Sequence, residues 1–125
     1  MTTAVNITKL PLSGGSGNGR GIKVVATADA GTTVHTCSST TTDIDELWLY
    51  CYNSSASAVV LTVELGGNTS PDDLVQYSVP PQNGYYTIIP GFPLVGAGTP
   101  LVVKCYAVSA NVLVVNGFIN RISQI

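Results

Sequence analysis

Charge is what this chain has least of. Lys, Arg, Asp and Glu make up 10% of its 125 residues, where a typical soluble domain carries about 25%. The basic residues Lys9, Arg20, Lys23, Lys104 and Arg121 are scattered. That excludes a nucleic-acid footprint, because displacing counterions from phosphates takes clustered Lys and Arg. Long apolar runs are missing too: none approaches the ~20 residues that span a bilayer. The three cysteines, Cys37, Cys51 and Cys105, form no CxxC spacing, so a zinc site is not indicated and no metal or cofactor is expected. Their odd number argues against a disulfide framework. Cys51 and Cys105 lie in apolar runs, where a thiol acts as a small hydrophobe, and reduced buried thiols suit synthesis in a reducing cytosol. Met1 to Asn6 has neither the basic start nor the apolar core of a secretory signal.

The residues that are present are apolar. Hydrophobic residues make up 45%, mean hydropathy is +0.33 and net charge is −2. The length fits one domain that buries roughly two-thirds of its unfolded surface. A free monomer with so little surface charge is prone to association. Coverage by neighbouring protein is the economical explanation.

Glycine is concentrated in Gly14-Gly15-Ser16-Gly17-Asn18-Gly19-Arg20-Gly21. The spacing is that of a phosphate loop, but such a loop requires Lys then Ser or Thr after its last glycine, and here Arg20 and Gly21 follow. A dinucleotide fingerprint needs a helix after the glycines, whereas Ile22 to Thr27 is short and β-branched. The stretch reads as a Gly/Ser linker. It divides the chain into an arm (residues 1–13) holding the strand candidate Val5 to Leu10, a hinge (14–21) and a domain (22–125).

Beyond the hinge, strands and turns alternate. Strands are expected over 22–29, 32–38, 44–53, 58–65, 74–79, 85–89, 101–107 and 111–122, with Gly, Pro and Asn turns between them. The alternation in 44–53 puts Leu47, Leu49 and Cys51 on one face and Trp48, Tyr50 and Tyr52 on the other. The Asn53-Ser54-Ser55 turn suggests a hairpin to 58–65. About eight short strands and no convincing helix predict an all-β sandwich, antiparallel and jelly-roll-like, with a flexible N-terminal arm. An immunoglobulin-like sandwich is the competitor, but Cys37, Trp48 and Cys51 are too closely spaced for its pattern. The last strand is apolar on both sides: Leu113 and Val115 on one, Val112, Val114 and Phe118 on the other. A second apolar face points to a subunit contact, hence a homo-oligomer.

Candidates for chemistry are few. His35 could serve as base to Cys37 two residues on, but nucleophilic catalysis needs an orienting partner and an oxyanion site, and the sequence shows neither. Asp43, Asp45 and Glu46, and separately Asp72 and Asp73, could lend oxygens to calcium; the Pro71-Asp72-Asp73 stretch reads better as a turn. Trp48, Tyr50 and Tyr52 either stack sugars or pack in the core or a subunit interface, where such residues are enriched. Tyr85 and Tyr86 point to opposite faces, so one reaches a surface.

Several stretches resemble the small all-β virion proteins of tailed bacteriophages, the capsid decoration or cement type. They are Ala30 to Thr36, Asp45 to Tyr50 with Asn53, Leu61 to Gly67, Ser70 to Leu74, Ile89 to Gly91 and Asn116 to Ile122. The resemblance covers roughly residues 21 to 122. It implies a jelly-roll-like sandwich, assembly as trimers, and attachment to a shell of major capsid protein on the outside of the virion, after synthesis in the host cytoplasm. It brings no catalytic residues, and a non-enzymatic role is expected. The alternative is a carbohydrate- or receptor-binding module of a tail or spike. In the arm, Val5, Ile7 and Leu10 are candidate interface residues, adding a strand to a neighbour. In the domain the candidates are Trp48, Tyr50, Tyr52, Tyr85, Tyr86 and Phe118.

Overall fold

The computed structural model describes residues 4–124. Residues 1–3 of the expected arm and residue 125 lie outside the described residues. Among the described residues there are nine strands: β1 (Val5–Pro11), β2 (Ile22–Lys23), β3 (Thr32–Thr36), β4 (Ile44–Asn53), β5 (Val59–Leu65), β6 (Leu74–Val79), β7 (Tyr86–Val95), β8 (Val102–Ala107) and β9 (Leu113–Gln124). They form two antiparallel sheets, ordered β1-β9-β4-β7 and β3-β8-β5-β6, with β2 also on β9. This is an all-β sandwich.

The two inner faces make the core. In β4 burial alternates without a fault, and Leu47, Leu49 and Cys51 are fully buried. They meet Leu113, Val115 and Ile119 of β9, Leu61 and Val63 of β5, and Val103 and Cys105 of β8 in one apolar cluster. Period-two alternation produces this because successive side chains of a strand leave opposite faces.

Three expectations are corrected. First, β4 and β5 are not a hairpin. β4 pairs with β7 and β9, while β5 pairs with β6 and β8, so the turn after Asn53 crosses between sheets. The buried Asn53 organises it: its amide donates to Ser57 O at 2.8 Å and Val79 O at 2.9 Å, and its carbonyl accepts from Ser55 N at 2.9 Å. Second, the strand over 22–29 stops at Lys23. Val24 N still reaches Leu113 O of β9 at 2.9 Å, but the donors after it turn to a side chain, Val25 N and Ala26 N both reaching Thr32 Oγ1 at 3.2 Å. Third, β7 runs on through Pro90 and Pro93. It is an edge strand with two register shifts against β4, and an edge tolerates residues that lack an N–H.

The N-terminal segment is docked rather than free. β1 lies antiparallel on β9 of its own chain from Val5↔Gln124 to Pro11↔Phe118, and β2 continues along the same flank at Ile22↔Val115. The glycine-rich stretch is the excursion between these two pieces. Leu12 drops into the core, and Gly14 N donates to Val34 O of β3 at 2.8 Å. The loop thus fastens the edge of one sheet to the edge of the other. Gly14 approaches β3 so closely that an added Cβ would lie 2.5 Å from Val34 O.

Candidate functional site

Two constellations stand out, one inside the sandwich edge and one on its outer face.

The inner one centres on His35. A register shift between Thr33 and His35 in β3 leaves the successive side chains Val34 and His35 both buried. The imidazole points at Asp45, which shares the core-facing parity of β4 with Leu47. His35 Nε2 lies 2.9 Å from Asp45 Oδ2. Directly opposite on β9, Arg121 grips the same carboxylate, Nε to Oδ1 at 2.7 Å and Nη2 to Oδ2 at 2.9 Å. On the other side of the ring, the Ser13 backbone N–H donates to Nδ1 at 3.2 Å and the Ser13 hydroxyl lies 3.1 Å from it. A backbone N–H can only donate, so Nδ1 is the acceptor and Nε2 carries the proton toward Asp45. Four segments therefore meet here: the β1–β2 loop, β3, β4 and β9.

Burial depresses the pKa of His35. The Asp45 hydrogen bond and charge push it back up in part, and Arg121 adds to the lowering. Burial alone would raise Asp45, but hydrogen bonds from Arg121 and His35 outweigh it and leave the carboxyl below its usual range. Burial, with the Asp45 charge, pushes the Cys37 thiol up to about 11.

Ser13, His35 and Asp45 stand in the order of a nucleophile, a base and an orienting acid. The environment works against that chemistry. Arg121 already matches the Asp45 charge that would stabilise an imidazolium, and Thr36 N–H donates to Ser13 Oγ at 2.7 Å. Cys37, the candidate nucleophile weighed above, is a protonated core thiol. His35, Cys37 and Asp45 bring a nitrogen, a sulfur and an oxygen within 4.8 Å of one another. An ion there would have to displace the Arg121 guanidinium, so the geometry favours the ion pair. An open cleft of about 610 Å³ lies alongside, lined by Ser13, His35, Ser38, Asp43 and Arg121 among others.

The acidic group expected for calcium is dispersed. Asp43 accepts from Ser38 Oγ at 2.7 Å, Asp45 turns inward, and Glu46 turns outward to accept from Trp48 Nε1 at 2.7 Å and Asn120 Nδ2 at 3.1 Å. Asp73 closes its turn, accepting from Thr69 N at 3.1 Å. A different carboxyl pair forms instead. Buried Glu64 and exposed Asp29 line an open cleft of about 370 Å³ with Asn68 and Lys104. Burial, then the Asp29 hydrogen bond, raises the pKa of Glu64.

The outer constellation lies on the solvent face of β1-β9-β4-β7 and is built of rungs. Ile7, Ile122, Ile44 and Val95 lie side by side across the four strands, and Pro11, Phe118, Trp48 and Pro90 form a second row. Lys9, Asn120 and Glu46 make the polar row between them. Trp48 and Phe118 stack with ring centres 5.9 Å apart and planes 9° from parallel, and Lys9 Nζ sits 4.4 Å from the Phe118 ring centre. Val5, Ile7 and Val95 are 53%, 67% and 53% exposed.

Of the expected interface residues, Val5, Ile7, Trp48, Tyr50, Tyr52 and Phe118 share this face, and Tyr85 lies beside Tyr52 with ring centres 6.3 Å apart. Leu10 and Tyr86 lie elsewhere, packed against the core. Sequence reasoning missed Ser13, Asp45 and Arg121 as partners of His35. One signal was legible: Asp45 falls on the same parity as Leu47, Leu49 and Cys51, and a charge on a core-facing row demands a partner.

Comparison with known proteins finds no family model, no curated protein and no solved structure that matches this chain.

Proposed function

We propose that this protein is a structural component that works by covering and being covered: a β-sandwich that associates with further copies of itself, as a trimer, and decorates a phage capsid by contact with the major capsid protein. We read the strand order as a jelly roll, since every connection except β1 to β2 and β5 to β6 passes between the sheets. The observation that carries the reading is the apolar rung Ile7–Ile122–Ile44–Val95 on a sheet face that a lone subunit leaves in water. An antiparallel sheet with one wet face ordinarily alternates apolar and polar residues, and apolar faces suit permanent interfaces. The virion setting rests on the resemblance of residues 21 to 122 alone. No catalytic role is proposed, because the one buried relay is neutralised by Arg121. A glycan-binding reading is weaker, because Trp48 lends its N–H to Glu46 and its face to Phe118.

The test is native mass by light scattering over a dilution series, for the wild type and for Ile7→Lys with Val95→Lys. A trimer that the double variant reduces to monomer supports the outer-face interface. Cosedimentation with undecorated heads then tests the capsid. A wild type that stays monomeric at every concentration overturns the homo-oligomer, and failure to bind heads overturns the virion role.

A further inference from the structure

β1 is exposed along almost its whole length. Backbone pairing with β9, the Lys9–Phe118 contact and the packing of Leu10 against the core hold it, and just beyond it the loop is fastened at Leu12, Ser13 and Gly14. The Ser13 fastening is chemically unlike the other two. Leu12 is held by burial and Gly14 by a backbone hydrogen bond, neither of which titrates. The Ser13 hydroxyl accepts from Thr36 N–H at 2.7 Å, which does not titrate either, but the Ser13 backbone N–H is held by one ring nitrogen acting as acceptor.

We infer that His35 is a proton-operated latch on the N-terminal strand: neutral, it holds Ser13 and keeps β1 seated; protonated, it drives Ser13 away and loosens β1 from β9. A proton on Nδ1 sets a donor against the Ser13 backbone N–H at 3.2 Å. The hydroxyl can adapt, turning its own hydrogen to Thr36 O at 3.5 Å and accepting from the ring. The backbone N–H cannot adapt. Nor does the imidazolium swing out to relieve the conflict, because Asp45 holds Nε2 and gains attraction when the ring is charged. The displacement therefore falls on the loop, whose next residues are glycines.

The groups facing the ring from each packed element fit this assignment. β4 brings Asp45 and β9 brings Arg121. β8 sets apolar Val103 opposite, and β3 itself leads on to Cys37. Asp43 lines the same cleft and is engaged by Ser38. The buried ring holds its proton less tightly than a free imidazole, whose value is 6.5. Stability from the neutral ring is therefore complete above that value and is lost as pH falls below it. This inference concerns the isolated chain and does not rest on the virion reading, so either can fail alone.

The experiment is NMR on the full chain from pH 7.5 to 4.5. The imidazole signals of its single histidine are followed alongside amide exchange of residues 5–10, corrected for intrinsic rates and referenced to β5. Protection of 5–10 is expected to fall about tenfold relative to β5, the scale of one lost hydrogen bond, with the same midpoint as the ring. His35→Gln, which cannot titrate, should abolish the response. Ser13→Ala, which keeps the backbone N–H, should retain it from a lower starting protection. If 5–10 stays as protected as β5 while the ring titrates, or loosens at a different midpoint, the latch is overturned. The wild-type comparison decides this even if His35→Gln does not fold.

Discussion

At the scale of single residues, Asp45 carries the most consequence. It is a fully buried carboxylate whose two oxygens are both engaged, by a guanidinium on the neighbouring strand and an imidazole from the opposite sheet. Removing one partner of a buried pair strands the other charge, which costs about 3–5 kcal/mol. Arg121→Met should therefore destabilise the chain by about 3 kcal/mol in urea unfolding. It should also raise the pKa of His35, since the cation that lowers it is gone and the stranded carboxylate draws the proton. Proton NMR of the lone imidazole measures the second effect. An unchanged midpoint would show that Arg121 is not electrostatically coupled to the ring. His35 was legible in the sequence as a candidate for chemistry, but not its partners. Ser13 and Arg121 stand 22 and 86 residues away, and only the pairing of β9 with β4 and the path of the glycine loop bring them in.

At the scale of elements, β4, β5 and β6 were readable nearly to the residue. β4 alternates without interruption, and turns containing Asn, Gly and Pro bound β5 and β6. β7 was cut short at Pro90 because proline usually ends a strand; its place at the sheet edge, invisible in the sequence, is what lets it continue. The pairing partners were hidden for the same reason, since a turn signal after Asn53 does not say whether the next strand returns to the same sheet or crosses. β9 is the element on which the first sheet depends, because β1, β2 and β4 all pair with it. Its weak point is Gly117, with φ of 155°, where an added Cβ would sit 2.0 Å from Trp48 O. Gly117→Ala must push β9 away from β4, and a loss of about 1–3 kcal/mol is expected in thermal or urea unfolding. Full stability would show that the two strands separate there without cost.

At the scale of the whole molecule, the scarcity of charge and the doubly apolar last strand translated into one arrangement: a core between the sheets and a second apolar surface outside one of them. What the sequence could not show was which outer face this would be, because that follows from strand order. The thiols report on the integrity of the whole. Cys37, Cys51 and Cys105 are buried, and burial pushes Cys51 up to about 12 and Cys105 higher still. A reactive cysteine is an accessible thiolate, so an aromatic disulfide reagent at pH 8 should leave the native protein untouched over hours and modify all three thiols once urea unfolds it. Fast reaction of one cysteine in the native state would reveal local opening. The seating of β1 has a mechanical consequence. Val5 pairs with Gln124, so the two ends of the described chain leave from the same corner, and a pull applied between them loads the β1–β9 ladder as a zipper. The paired residues separate in succession from that corner, and resistance rises from Lys9 and Leu10 onward to Leu12 and Ser13, where the chain passes into the core. The protein thus contains a built-in length of slack, which can lengthen under tension while the sandwich behind it stays whole.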